Sequence, residues 1–153
     1  MSLLKLNELY KTVILDHAQH PHHHGQLAEV PGVTLNNPSC GDVIQVQIEV
    51  QHQQINRIAF SGTGCTISQA SASVMTDVLS QQTMTQAQQL IHDFSQLIMG
   101  KSLTTAAKHQ LGDAAVLGTV AEFPTRIRCA MLAWHAAEQC LAEIGGTDNG
   151  SKS

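Results

Sequence analysis

The stretch that decides the fold is residues 43–60, VIQVQIEVQHQQINRIAF. From Ile44 to Val50 its residues alternate between branched apolar and polar side chains, and the apolar ones are Ile44, Val46, Ile48 and Val50. Alternation with a period of two is typical of an antiparallel strand with one buried face. The polar residues 51–54 then predict a turn, and residues 55–60 predict a second strand that pairs with the first as a hairpin.

Before the hairpin, the apolar residues repeat with the period of a helix. Residues 3–19 place apolar side chains at i, i+3 and i+4, which predicts a helix, and Pro21 and Gly25 stop it. A third strand is expected around Thr34.

After the hairpin, the small polar residues 61–64 predict a loop, and a helix is expected to begin just after Cys65. Thr85 and Gln88 match a capping box that introduces the next helix, which should end near Gly100.

The final third of the sequence is less regular at first. Residues 101–118 hold a turn signal at Leu111-Gly112-Asp113. The last helix is expected to take Thr125 as its N-cap and to end at Gly145-Gly146.

The order of elements is a helix, then antiparallel strands, then several helices. It predicts an α+β fold, in which a small antiparallel sheet of about three strands packs against helices. We expect a single domain over residues 1–146 and a flexible tail over residues 147–153.

Composition excludes several classes of function. The chain has 153 residues, a formal net charge of −4 and a pI near 6.1, which argues against a nucleic-acid partner. The apolar runs are too short to span a membrane, so no membrane partner is expected. The N-terminal residues do not have the pattern of a signal peptide, which indicates a cytoplasmic protein. In that compartment the four cysteines favour metal binding or thiol chemistry over disulfides.

Three cysteines lie where predicted elements begin or end. Cys40 precedes the first hairpin strand, Cys65 lies between a strand and a helix, and Cys129 falls in the first turns of the last helix. Side chains at such positions can converge close to the surface. The dipole at a helix N-terminus also favours the thiolate form of Cys65 and Cys129.

Three thiolates are one ligand short of a closed zinc site, and Asp42 can supply the fourth. A carboxylate is a harder ligand than a thiolate, so such a site would hold zinc and still offer a replaceable position. Because the ligands are far apart in the sequence, spacing leaves open the alternative that these cysteines are small buried residues without a metal.

Cys140 follows Cys129 by eleven residues, which is about 16 Å along a helix. We therefore interpret Cys140 as a small buried residue outside any shared metal site. Ser68, Ser71 and Ser73 are interpreted as packing or helix-surface residues rather than nucleophiles.

Histidines crowd the loop that follows the first helix. His20, His22, His23 and His24 would bind nickel or zinc adventitiously, and we interpret the segment as a solvated loop. His17, on the apolar face of the helix, is expected to be a core histidine with hydrogen-bond partners rather than a metal ligand.

The cysteine motifs extend beyond the cysteines themselves. They are NPSCGD at residues 37–42, GTGCTISQAS at residues 62–71 and RIRCAMLAW at residues 126–134. Together with the opening segment, they resemble the IscU/NifU-like family of iron–sulfur cluster assembly proteins from about Leu9 to Ile144.

Within that family the chain resembles the SufU-type sulfur-transfer branch. Three features separate it from the IscU scaffolds: the extra segment at residues 101–118, Arg128 in place of a histidine, and EFPTR at residues 122–126 in place of a chaperone-binding stretch.

The resemblance implies a zinc ion on Cys40, Asp42, Cys65 and Cys129. It also implies that Cys40 accepts persulfide sulfur from a SufS-type, pyridoxal-phosphate-dependent cysteine desulfurase, with Suf scaffold proteins as further partners downstream. The chain would then be a sulfurtransferase-type partner that stimulates the desulfurase, rather than a stand-alone enzyme.

Two other functions remain open at this point. The same four residues would also hold iron or a [2Fe–2S] cluster, which would make the chain a scaffold for transient cluster assembly. A structural zinc module that mediates protein contacts is the second alternative.

Overall fold

The computed structural model describes residues 3–38 and 41–152. Its elements are α1 (Leu3–Gln19), β1 (Gly32–Asn37), β2 (Asp42–Gln51), β3 (Gln54–Thr63), α2 (Thr66–Leu79), α3 (Met84–Ile98), α4 (Thr105–Leu111), a 3₁₀ helix (Gly112–Glu122) and α5 (Pro124–Lys152). The predicted α+β class and the small antiparallel sheet are confirmed. Within the described residues, no helix is both long and apolar enough to cross a membrane.

The sheet has the strand order β1-β2-β3, and both pairings are antiparallel. Ile44, Val46 and Ile48 are buried, as their alternation predicted. The loop predicted over residues 61–64 is wrong for its first three residues, because β3 continues to Thr63. Gly62 pairs with Ile44, and a Cβ atom at Gly62 would lie 2.0 Å from the carbonyl oxygen of Val43. Glycine therefore permits the close approach of the two strands.

Aromatic stacking and hydrogen bonds connect α2, α3 and α5 in the core. The Trp134 ring stacks on Phe94, with ring centroids 3.9 Å apart. The Trp134 Nε1–H group donates to Ser71 Oγ at 2.9 Å, and Ser71 Oγ donates to the carbonyl oxygen of Ala130 at 2.5 Å. Ser68, Ser71 and Ser73 are all buried, so the packing interpretation of these serines is confirmed.

Residues 101–118 have more regular secondary structure than the sequence indicated. They include α4 and the first part of the 3₁₀ helix, and Gly112 (φ +55°) joins the two. Leu111, Ala114 and Leu117 are fully buried, so this segment belongs to the core.

The two ends of α5 differ from prediction. The helix begins at Pro124, so Thr125 lies in its first turn and is not the N-cap. Proline suits that first position, because its missing N–H would have no helical partner there. The helix also continues through Gly145-Gly146 to Lys152. The single-domain boundary at residue 146 and the flexibility of residues 147–153 stay predictions.

The capping box predicted at Thr85 and Gln88 is wrong. The N-cap of α3 is Thr83, whose side chain accepts the backbone N–H of Gln86 at 3.1 Å. The backbone N–H of Met84 donates to the carbonyl oxygen of Gln53 at 3.0 Å, which fixes the start of the helix against the hairpin turn.

We expect Thr83→Ala to lower the free energy of unfolding by about 1 kcal/mol, because one N-terminal N–H of α3 loses its acceptor. Thr85→Ala is the matched control. Thr85 is exposed inside the helix, so its replacement should change stability by less than about 0.5 kcal/mol. Urea unfolding of both variants in the same zinc-containing buffer measures the difference. Equal effects of the two substitutions would contradict the assignment of Thr83 as the cap.

Candidate metal centre

Asp42, Cys65 and Cys129 converge from three different elements. Asp42 is the first residue of β2, Cys65 is the N-cap of α2, and Cys129 lies in the second turn of α5. One ligand atom from each lies within 4.8 Å of the others. The structure thus brings together three of the four residues predicted to hold a metal. The fourth, Cys40, lies outside the described residues.

The carboxylate of Asp42 is fully buried. Its Oδ1 accepts the backbone N–H of Cys65 at 2.9 Å, whereas its Oδ2 has no hydrogen-bond partner among the described residues. A buried carboxylate oxygen without a donor is costly, and a bound cation would remove that cost. Two cysteine sulfurs and one carboxylate oxygen are ligands that zinc accepts. The residues present therefore fit a zinc ion.

Gly64 leaves the space that the carboxylate occupies. A Cβ atom at this position would lie 2.2 Å from Ser68 Oγ and 2.8 Å from Asp42 Oδ1. Gly64 is not among the glycines with a positive φ, so the constraint here is steric. Ser68 Oγ in turn donates to the carbonyl oxygen of Cys65 at 3.0 Å.

Asn37 is a contact of the site to which sequence reasoning gave no role. Its Nδ2 donates to Cys129 Sγ at 3.8 Å, and Asn37 pairs with Asp42 in the β1–β2 register. The backbone N–H of Gly41 donates to the carbonyl oxygen of Asn37 at 2.8 Å. The first motif, NPSCGD, contained this asparagine, but only the structure shows that it reaches the sulfur of Cys129.

An open, mostly apolar groove adjoins the site. It is lined by Asn37 and Pro38 from the β1 side, by Met99 after α3, and by Ile127 and Arg128 from α5. Met99 is 62% exposed. Arg128, the neighbour of Cys129 in sequence, thus also borders an accessible apolar surface.

Cys140 is separate from this cluster, as predicted. It is buried, and its Sγ donates to the carbonyl oxygen of Val46 at 3.2 Å. Burial raises the pKa of the Cys140 thiol to about 11, so it stays protonated at neutral pH.

The histidine loop is not simply solvated. The imidazoles of His22, His23 and His24 are exposed, but His23 Nδ1 lies 2.9 Å from Thr76 Oγ1, and His24 packs edge-on against Phe60. The loop is therefore held against α2 and β3.

His17 is buried and has a partner on each ring nitrogen. Nδ1 lies 2.7 Å from Ser73 Oγ, and Nε2 lies 3.1 Å from Asp113 Oδ2. The prediction of a hydrogen-bonded core histidine is confirmed.

Comparison with known proteins identifies the family. The sequence profile of the NifU-like N terminal domain matches residues 9–130. The chain belongs to this family. The match contains both cysteines of the cluster together with Asp42, so the converging residues lie inside the NifU-like domain.

Two curated relatives of this NifU-like domain carry different names. The "Iron-sulfur cluster assembly scaffold protein IscU" of Streptococcus pyogenes serotype M1 is 46% identical, over 92% of this chain and 87% of the relative. The "Zinc-dependent sulfurtransferase SufU" of Bacillus subtilis (strain 168) is 37% identical, over 92% of this chain and 95% of the relative. A crystal structure from Fervidobacterium islandicum AW-1 is described as a candidate iron–sulfur cluster assembly scaffold for the SUF system. It has a TM-score of 0.80 and 26% identity, over 88% of this chain and 98% of that one.

We expect Gly64→Ala to reduce zinc binding by the purified protein, because the added methyl group displaces the Asp42 carboxylate or Ser68. Gly145→Ala is the control, since a Cβ atom there comes no closer than 4.0 Å to Met84 Cε. Metal analysis after dialysis against equal zinc concentrations measures the effect. If Gly64→Ala retained as much zinc as Gly145→Ala, the space around Asp42 would not be part of a metal site.

Proposed function

We propose that this NifU-like domain is a zinc-dependent sulfur acceptor in iron–sulfur cluster assembly. It takes persulfide sulfur from a SufS-type cysteine desulfurase and works in the cytoplasm, where thiols stay reduced. The observation that carries the proposal is the buried Oδ2 of Asp42, which has no hydrogen-bond partner among the described residues and lies beside the cysteines at positions 65 and 129. The Bacillus subtilis relative named as a zinc-dependent sulfurtransferase supports it.

Asp42, Cys65 and Cys129 would hold the zinc ion, and Cys40 would complete four ligands. Two peptide units separate Cys40 from Asp42, which keeps their Cα atoms within about 7 Å of each other. The bound ion would keep the cysteine sulfurs deprotonated at neutral pH. The N–H group of Cys65 orients the Asp42 carboxylate, and the amide of Asn37 donates to Cys129.

The chemistry of the transfer is an exchange at sulfur. The Cys40 thiolate attacks the terminal sulfur of the desulfurase persulfide. A bond forms between Cys40 Sγ and that sulfur, while the bond between that sulfur and the desulfurase cysteine breaks. The desulfurase cysteine leaves as a thiolate, so the exchange needs no external oxidant or reductant. The apolar groove beside Asn37 and Arg128 would offer the desulfurase a docking surface that adjoins the cluster of Asp42, Cys65 and Cys129.

We expect the zinc-loaded protein to stimulate a purified SufS-type cysteine desulfurase and Cys40→Ala to abolish that stimulation, because the attacking thiolate is gone. Cys140→Ala is the control and should keep the stimulation, since Cys140 is buried elsewhere. Sulfide or alanine release measures turnover. Absence of stimulation by a zinc-loaded wild-type sample would refute the proposal.

The same variant separates the carrier from a structural zinc module. A carrier predicts that Cys40→Ala stays folded and loses only stimulation. A structural site predicts that it loses its fold, which circular dichroism and the unfolding temperature would reveal.

The scaffold function is the second candidate, and the Streptococcus relative named as an assembly scaffold favours it. The metal content after purification without air distinguishes the two. We expect about one zinc ion per chain at the four-ligand site and no inorganic sulfide. Iron together with inorganic sulfide would instead support a [2Fe–2S] scaffold.

A further inference from the structure

A second group of metal-ligating side chains lies away from the candidate centre. It consists of His17 near the end of α1, His22 in the loop that follows, and Asp77 in α2. One ligand atom from each lies within 4.8 Å of the others. Asp77 follows Cys65 by twelve residues, which is about 18 Å along α2. The two groups therefore cannot share an ion.

His17 is held in place for such a role. It is only 2% exposed, and its two ring nitrogens contact Ser73 Oγ and Asp113 Oδ2. When one nitrogen binds a metal, the other still has its hydrogen-bond partner. Metal-binding histidines in proteins usually keep such a partner, because it fixes the orientation of the ring.

His22 and Asp77 form the side of the group that faces solvent. Their side chains are 46% and 39% exposed, and His22 Nδ1 lies 2.5 Å from Asp77 Oδ2. The backbone N–H of His22 donates to Ser73 Oγ at 2.7 Å, so the loop is anchored beside His17. An ion entering from solvent would replace the hydrogen shared by His22 and Asp77. It would also displace the hydrogen bond between His17 Nδ1 and Ser73 Oγ, while His17 Nε2 keeps its contact with Asp113.

We propose that His17, His22 and Asp77 form a second zinc site. Two imidazoles and one carboxylate are a ligand set that zinc takes in open sites, where a water molecule completes the coordination. Asp113 lies in the 3₁₀ helix. Its Oδ2 is 3.1 Å from His17 Nε2, so this contact orients the His17 ring. The ion would join the end of α1 and its loop to α2, and through Asp113 to the extra segment at residues 101–118.

Zinc stoichiometry tests this proposal. After equilibrium dialysis against ZnCl₂, His22→Asn and Asp77→Asn should each bind about one ion per chain fewer than the wild type. His20→Asn is the matched control. His20 is an exposed histidine of the same loop but does not belong to the group, so this variant should keep the wild-type stoichiometry. Circular dichroism establishes that the variants are folded.

Cobalt distinguishes the two sites by their ligands. In wild-type protein titrated with CoCl₂, thiolate ligands give an intense charge-transfer band in the near ultraviolet. Cobalt at His17, His22 and Asp77 should add only weak visible bands, and these should disappear in Asp77→Asn. Unchanged zinc stoichiometry in His22→Asn, or an equal loss in His20→Asn, would overturn the proposal. Neither result bears on the proposed sulfur transfer, because these experiments measure only the number of bound ions and all the variants keep Cys40.

Discussion

The need to satisfy one buried carboxylate organises the region around the candidate metal centre. Asp42 begins β2 and has no access to solvent. Within the part of the chain that the structure describes, the N–H group at the start of α2 satisfies one of its oxygens and no donor reaches the other. This residue therefore joins the start of β2 to the N-terminus of α2, and its carboxylate lies within 4.8 Å of the cysteine sulfur of α5. The glycine before Cys65 leaves room for the Ser68 hydroxyl and for this carboxylate, because a Cβ atom there would lie too close to both.

Helix α2 connects this region to the rest of the fold through small hydroxyl side chains. Ser71 bridges to the backbone and the indole of α5, and Ser73 contacts both His17 and the loop after α1. Thr76 Oγ1 donates to the carbonyl oxygen of His22 in the same loop and also lies within hydrogen-bond distance of His23 Nδ1. Small side chains let neighbouring elements approach closely, and their hydroxyl groups satisfy polar atoms that would otherwise be buried without partners. Helix α2 therefore contributes to the core through its hydroxyl side chains as well as through its apolar ones.

Sequence predicted what depends on a buried face or a complete motif. The alternation of Ile44, Val46 and Ile48 correctly predicted the first strand of the hairpin, because the register of a strand is strongly specified when one of its faces is buried. The sequence analysis missed the last residues of β3, because small polar residues with glycine have the composition of a loop, and only pairing with β2 makes them a strand.

The predicted start of α3 was displaced for a related reason. The capping-box pattern indicated Thr85, whereas the structure has Thr83 as the cap, next to a contact with the hairpin turn that is invisible in local sequence. At the site, the motifs predicted the convergence of Asp42, Cys65 and Cys129, whereas the contact of Asn37 and the grouping of His22 with Asp77 depend on tertiary structure.

The pairing of Asn37 with Asp42 leaves only four residues, Cys40 among them, to connect β1 and β2. A sulfur on so short a tether cannot diffuse away when it leaves a metal ion. Its return is an intramolecular reaction, with an effective local concentration on the order of millimolar even for a flexible connection. Under the proposed function, release of this ligand would therefore be brief, and the resting ligand shell would reassemble without help from another protein.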